Sequence, residues 1–187
     1  MKRLRAFIAA DITNRGGIEK LQKELSEAAG WRAGEVRPVE NQNLHFTLIF
    51  LGDIGNATVE AIKSKLSELN FESIKITYSG LGGFPSLSFA NVIWIGVDQE
   101  GSRRFTSVAD SVISKIKDIG ISPNKPFTPH LTIFRVKKRN FWLDERLLAR
   151  YIARSFGTDT IEKISLKMST LSSLGASYSD IFTVQAK

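Results

Sequence analysis

The chain contains only two histidines, His45 and His130, and each is followed two positions later by a threonine, Thr47 and Thr132. In an extended strand, side chains at i and i+2 share a face. His45 and Thr47 therefore point one way, and Leu44, Phe46 and Leu48 the other. His130 and Thr132 likewise oppose Leu131 and Ile133. A polar pair on an otherwise apolar strand costs stability unless it is hydrogen-bonded or solvated. A groove lined by both pairs meets that requirement and makes a site. Imidazole is the side chain best suited to giving and taking protons near neutral pH. Two of them flanking a phosphate divide the work: one protonates the leaving oxygen and the other activates water. Threonine hydroxyls can donate hydrogen bonds to the non-bridging oxygens, where charge accumulates. Each motif supplies one imidazole and no carboxylate at ligand spacing, so no metal and no other cofactor is expected. The alternative is two satisfied sheet histidines capping a polar seam. A lone His-x-Thr would favour that reading; two in matching settings favour chemistry.

The elements that must position these pairs repeat. The motifs are offset by 130 − 45 = 85 residues, and the same offset aligns other segments. The apolar runs 4–11 and 89–96 read as buried strands. Each precedes a helical stripe, Ile18, Leu21 and Leu25 in one case and Phe105, Val108, Val112, Ile113 and Ile116 in the other. The histidine strands 44–51 and 130–136 follow, then helical segments 58–69 and 143–154, then alternating strands 72–79 and 161–170. A last strand at about 180–185 closes the chain. The expected fold is α+β, a single bilobal domain over 1–187. Its pseudo-repeats cover roughly 1–83 and 84–170, and two antiparallel sheets line a central cleft with helices outside. Gly80, Gly82, Gly83 and Pro85 read as the break between lobes, and Pro123, Pro126 and Pro129 punctuate the approach to the second motif.

Composition narrows the function. The 187 residues are 42% apolar and 24% charged, enough for a core without staples. There is no cysteine, which excludes disulfides, thiolate metal sites and thiol nucleophiles. The apolar run after Arg5 stops at Asp11, too short for a signal peptide, and no stretch has membrane-spanning length. A cytoplasmic protein without membrane association is expected. The formal charge of +7 and pI of about 9.7 suit a polyanionic partner.

These residues match a known pattern. Arg5-Ala6-Phe7-Ile8-Ala9, Asn43-Leu44-His45-Phe46-Thr47-Leu48 with Phe50-Leu51-Gly52, and Val92-Ile93-Trp94 with Gly96-Val97 are part of it. The most specific segment is Lys125-Pro126-Phe127-Thr128-Pro129-His130-Leu131-Thr132-Ile133 followed by Arg135. Over nearly its whole length the chain resembles the 2H phosphoesterases, in particular the LigT-like RNA 2′,3′-cyclic phosphodiesterases, also called 2′-5′ RNA ligases. The resemblance implies a two-lobed fold around one cleft and hydrolysis of an RNA 2′,3′-cyclic phosphate end to a 2′-phosphate. It also implies His45 as proton donor to the 3′-oxygen, His130 as proton acceptor from water, and Thr47 and Thr132 as phosphate ligands. In reverse, such a site joins a cyclic-phosphate end to a 5′-hydroxyl through a 2′-5′ linkage. The chain departs from the family pattern at Ser86-Leu87-Ser88-Phe89, which is more apolar, and at Gly175-Ala176-Ser177-Tyr178. Both departures bear on the nucleotide pocket.

Further contacts to substrate are sought among four residues. Strand alternation turns Arg135 away from His130 unless a twist or bulge reverses it. Lys125 can reach phosphate. Phe127 and Tyr178, with Phe84, fall in loop-like segments where an aromatic ring can stack a base. Phe46 and Trp94 read as core. Other functions compatible with the residues are a phosphodiesterase for small cyclic nucleotides or 2′-5′ oligoadenylate, a non-catalytic RNA-end receptor, and a metal hydrolase. The leading expectation is a monomer acting on RNA ends, with tRNA fragments as one source.

Overall fold

The computed structural model describes residues 3–32, 34–86, 89–123, 126–138, 141–172 and 175–187. Strand β1 (Leu4–Asp11) leads into α1 (Arg15–Ala29), a short β2 (Val36–Pro38), a 3-10 turn (Asn41–Asn43) and β3 (His45–Ile54). Helix α2 (Asn56–Ser67), β4 (Ile74–Phe84), β5 (Val92–Val97) and α3 (Gln99–Lys117) follow. The chain continues with β6 (Leu131–Val136), α4 (Glu145–Tyr151), β7 (Ser155–Ile161), β8 (Lys163–Ser172) and β9 (Gly175–Gln185). Among the described residues no helix is long and apolar enough to cross a membrane.

The strands form two antiparallel sheets, ordered β3-β1-β8-β9 and β2-β6-β5-β4-β7. The α+β class with two sheets agrees with the expectation. The connectivity is more entangled than two consecutive lobes. The third strand of the first repeat, β4, pairs with β5 and β7, whereas its counterpart β8 pairs with β1. Each sheet takes two strands from the other half of the chain, β8 and β9 in the first and β2 and β4 in the second.

Local chemistry explains where elements start. Asn14 caps α1 by accepting from the Gly17 N–H at 3.1 Å, and Gly30 ends it in the left-handed region at φ 59°. Asp98 caps α3 by accepting from the Gly101 N–H at 3.2 Å. The apolar stripes then bury Ile18, Leu21 and Leu25 of α1 and Phe105, Val112 and Ile116 of α3. Phe46, fully buried, stacks on Tyr78 and meets Phe105 edge-on at 5.0 Å. Removing such a ring costs about 3–5 kcal/mol.

The sheets are also joined by a buried acid. Asp159 on β7 accepts from the backbone N–H groups of Thr13 and Asn14, just after β1, and from the Thr13 hydroxyl. It also accepts from the Tyr78 hydroxyl at 2.6 Å. Burial, with this carboxylate beside it, pushes the Tyr78 phenol up. A carboxylate so fully satisfied stabilises where an unpaired one would not.

Three features differ from expectation. Gly80–Phe84 is strand rather than a break: it is the second half of β4, paired with β5. Gly82 is explained by Trp94, whose ring lies where its Cβ would fall, and Gly80 by its left-handed backbone at φ 72°. Strand β7 was not anticipated, because its polar residues and Gly157 mask alternation. The helix expected over 143–154 is the shorter α4.

Candidate active site

His45 opens β3 directly after the 3-10 turn. Its Nδ1 lies 2.8 Å from the Asn43 carbonyl and its Nε2 lies 3.1 Å from the Thr47 hydroxyl. His130, immediately before β6, places its Nδ1 2.7 Å from the Thr128 carbonyl. A carbonyl can only accept, so Nδ1 carries the proton in both rings, and Nε2 is left for chemistry. The same tether, to the carbonyl two residues upstream, occurs in both motifs. Phe46 and Leu48 are buried behind His45 and Thr47, and Leu131 and Ile133 behind His130 and Thr132, so alternation held across both motifs.

Aromatic rings wall each imidazole. Phe7 and Tyr178 lie 4.9 and 5.1 Å from His45 by ring centroid, and Phe84 and Trp94 lie 5.0 and 6.0 Å from His130. Tyr178 and Phe84 are therefore strand residues in contact with the histidines, not loop residues. Trp94 is not simply core: it is the cross-strand partner of Thr132. Among the described residues its buried indole N–H has no acceptor. Phe127, half-buried, packs edge-on against Phe105 of α3 at 5.2 Å, at the margin of the core. Lys125 lies outside the described residues.

Arg135 is the clearest departure from simple alternation. Between β5 and β6 the register slips, so that Ile93 pairs with Phe134 and Trp94 with Thr132. Ile133 is the extra residue of a bulge, and both it and Phe134 are buried. Val92 and Trp94 share a face, and so do their partners Arg135 and Thr132. The bulge therefore returns Arg135 to the side of Thr132. Gln22 on α1 supports it: its buried amide donates to the Ile133 carbonyl at 2.8 Å and the Val39 carbonyl at 2.9 Å.

Strands β3 and β6 lie against each other, and the Arg135 charge is felt at His45. His45 is held at about 4, below the usual imidazole range. Burial is the main cause; the Asn43 carbonyl opposes it, Lys167 adds to it, Asp11 opposes it and Arg135 adds to it. Lys167 and its partners escaped the sequence reading. The Lys167 ammonium is largely buried and bridges Asp11 at 2.8 Å and Asp180 at 2.5 Å. Asp11 is the cross-strand partner of His45. The signal was the polar alternation Lys163, Ser165, Lys167, Ser169 opposite Ile164 and Leu166. Among the described residues no three His, Asp or Glu side chains cluster as a metal site would require.

The chain is similar to several known proteins. Residues 12–94 match the family described as LigT like Phosphoesterase. The chain is 37% identical over 180 residues to an Archaeoglobus fulgidus protein named RNA 2′,3′-cyclic phosphodiesterase, covering 95% of this chain and 98% of that one. It is 41% identical over 186 residues to an Aquifex aeolicus protein of the same name, covering 95% of each. In fold it is similar to E. coli LigT in apo form, with TM-score 0.77, 19% identity and coverage of 100% and 99%. The crystal structure of that protein complexed with 3′-AMP gives TM-score 0.78 at 19% identity, with the same coverage.

Proposed function

The chain belongs to the LigT-like phosphoesterase family, and from that premise we propose that it hydrolyses the 2′,3′-cyclic phosphate at RNA ends to a 2′-phosphate. The observation that carries this reading is the twin tether: both imidazoles donate Nδ1–H to the carbonyl two residues upstream and keep Nε2 for a phosphate, with the Thr47 hydroxyl 3.1 Å from Nε2 of His45.

In this reading His130, the more open of the two rings, takes a proton from water as the water oxygen bonds to phosphorus. The P–O3′ bond breaks, and His45 gives its proton to O3′. Thr47 and Thr132 hold the non-bridging oxygens, and Arg135, farther along β6 on the same face as Thr132, meets the substrate beyond the cyclic group. By itself the protein keeps His45 neutral at neutral pH. An anionic phosphate against Nε2 opposes the effect of burial and raises the ring's affinity for a proton. Substrate thus arms the acid. With a 5′-hydroxyl in place of water as the nucleophile, the same proton transfers join a cyclic end to it through a 2′-5′ linkage. The expected setting is a cytoplasmic monomer working without a metal, with tRNA fragments among its substrates.

The test uses an oligoribonucleotide ending in a 2′,3′-cyclic phosphate, in the presence of EDTA. Wild type should open the ring to a 2′-phosphate, and His45→Ala and His130→Ala should each lose that activity. Ring opening that survives both substitutions, or that EDTA abolishes, would exclude the two-histidine mechanism.

A further inference from the structure

Positive charge continues past Arg135. Arg37 on β2 is its direct cross-strand partner, and both side chains are exposed. Like charges opposite one another on one sheet face destabilise the pairing. Among the described residues no carboxylate relieves this one. The nearby acids are engaged elsewhere: Glu35 pairs with Lys138 at 2.8 Å, and Glu40 accepts from Gln42 at 2.6 Å. A phosphodiester would turn this repulsion into a clamp, since planar guanidinium groups match phosphate oxygens.

A second feature adjoins the first. The Val136 N–H donates to the Asn91 carbonyl at 2.9 Å, which ties the turn before β5 to the end of β6. In that turn Phe89 meets Trp142, with ring centroids 4.5 Å apart. The rings are 50% and 63% exposed. Exposed aromatic faces beside cationic side chains are the general means of binding single-stranded nucleic acid, because every base can stack. Strand β6 orders the parts: His130 before it, Thr132 within it, Arg135 with Arg37 alongside, and the aromatic pair at its far end. At about 3.3 Å per residue, His130 and Arg135 are separated by about 16 Å of strand.

We propose that the Arg37–Arg135 pair and the Phe89–Trp142 pair form the path by which an RNA strand leaves the cleft. The guanidinium groups hold a backbone phosphate on the 5′ side of the cyclic end, and the rings stack an unpaired base. This deepens the proposed function and rests on the substrate being an RNA end. The path has no role on a cyclic mononucleotide, which separates it from the chemistry.

The experiment compares adenosine 2′,3′-cyclic phosphate with oligoribonucleotides of increasing length ending in the same group. Wild type, Arg37→Gln, Trp142→Ala and Trp142→Phe are assayed on each. Wild type should prefer the longer substrates. Trp142→Ala should lower kcat/KM on them about tenfold, leave the mononucleotide unchanged, and be rescued by Trp142→Phe. Arg37→Gln should reduce the salt dependence of log kcat/KM by about 0.7 per log unit of salt. If length makes no difference to wild type, the path is refuted while the hydrolysis stands. A surface for a protein partner would leave the oligonucleotide kinetics of every variant untouched, which also refutes it. Equal losses on both substrates would mark a structural effect and overturn the proposal. If wild type opens neither substrate, the function itself fails, a result distinct from these.

Discussion

His45 should make the protein acid-sensitive in a way that removing one nitrogen abolishes. Its imidazole sits at about 4 in the folded state against an ordinary 6.5. At neutral pH the ring is neutral in both the folded and the unfolded chain and contributes nothing. Below about 6.5 the unfolded chain takes up a proton that the folded protein cannot, so stability falls as pH falls. The loss grows by about 1.4 kcal/mol per pH unit and stops near pH 4, where the folded ring also protonates. By about pH 5 the loss is about 2 kcal/mol, from 1.5 units of the window. The clean comparison is wild type against His45→Gln, unfolded in urea at a series of pH values. Carboxylates that protonate over the same range are common to both proteins and cancel. Wild type should therefore lose about 2 kcal/mol more than the variant between neutral pH and about pH 5. A phosphate-containing ligand should shrink that gap, because its charge stabilises the protonated ring. Two curves that stay parallel would refute the claim that burial governs this histidine, and with it the argument that substrate arms the acid.

Two further outcomes follow from the sheet around the second histidine. Gly82→Ala should displace the Trp94 ring, lowering stability by about 1–3 kcal/mol and reducing kcat more than a distant mutation of equal cost; thermal unfolding and steady-state kinetics together check it. Gln22→Met should leave the Val39 carbonyl short of a donor, while the Ile133 carbonyl keeps the Val39 N–H at 2.9 Å; it should cost about 1–3 kcal/mol and raise KM through a misplaced Arg135, and unchanged KM would show that the bulge stands without the amide.

The parts of the fold that were legible in sequence are those set by neighbours along the chain. Strand β1, helices α1 and α3, and the faces of His45 and His130 follow from periods of 2 and 3.6 that local burial then confirms. What was not legible depends on partners far away. The side on which Arg135 emerges is decided by an extra residue at Ile133, and that bulge is supported by Gln22, 111 residues distant. The strand character of Gly80–Phe84 depends on pairing with β5, whose Trp94 ring lies across Gly82. Lys167 was hidden for another reason: a lysine in an alternating strand reads as a surface residue until Asp11 and Asp180 are seen to enclose it.

The exchange of third strands between the two sheets also sets a timetable for making the enzyme. Ala6 of β1 faces Met168 of β8, 162 residues later, and β9 then pairs only with β8. While the chain is being synthesised, the sheet that carries His45 must wait as a two-stranded ribbon, a form with little stability of its own. The second sheet meanwhile gathers β2, β4, β5, β6 and β7, all of which emerge earlier. Asp11 and His45 consequently acquire Lys167 last. The cleft around His45 is completed only once β8 has emerged, so a product truncated before β8 carries both histidines but not the Lys167 setting of the first.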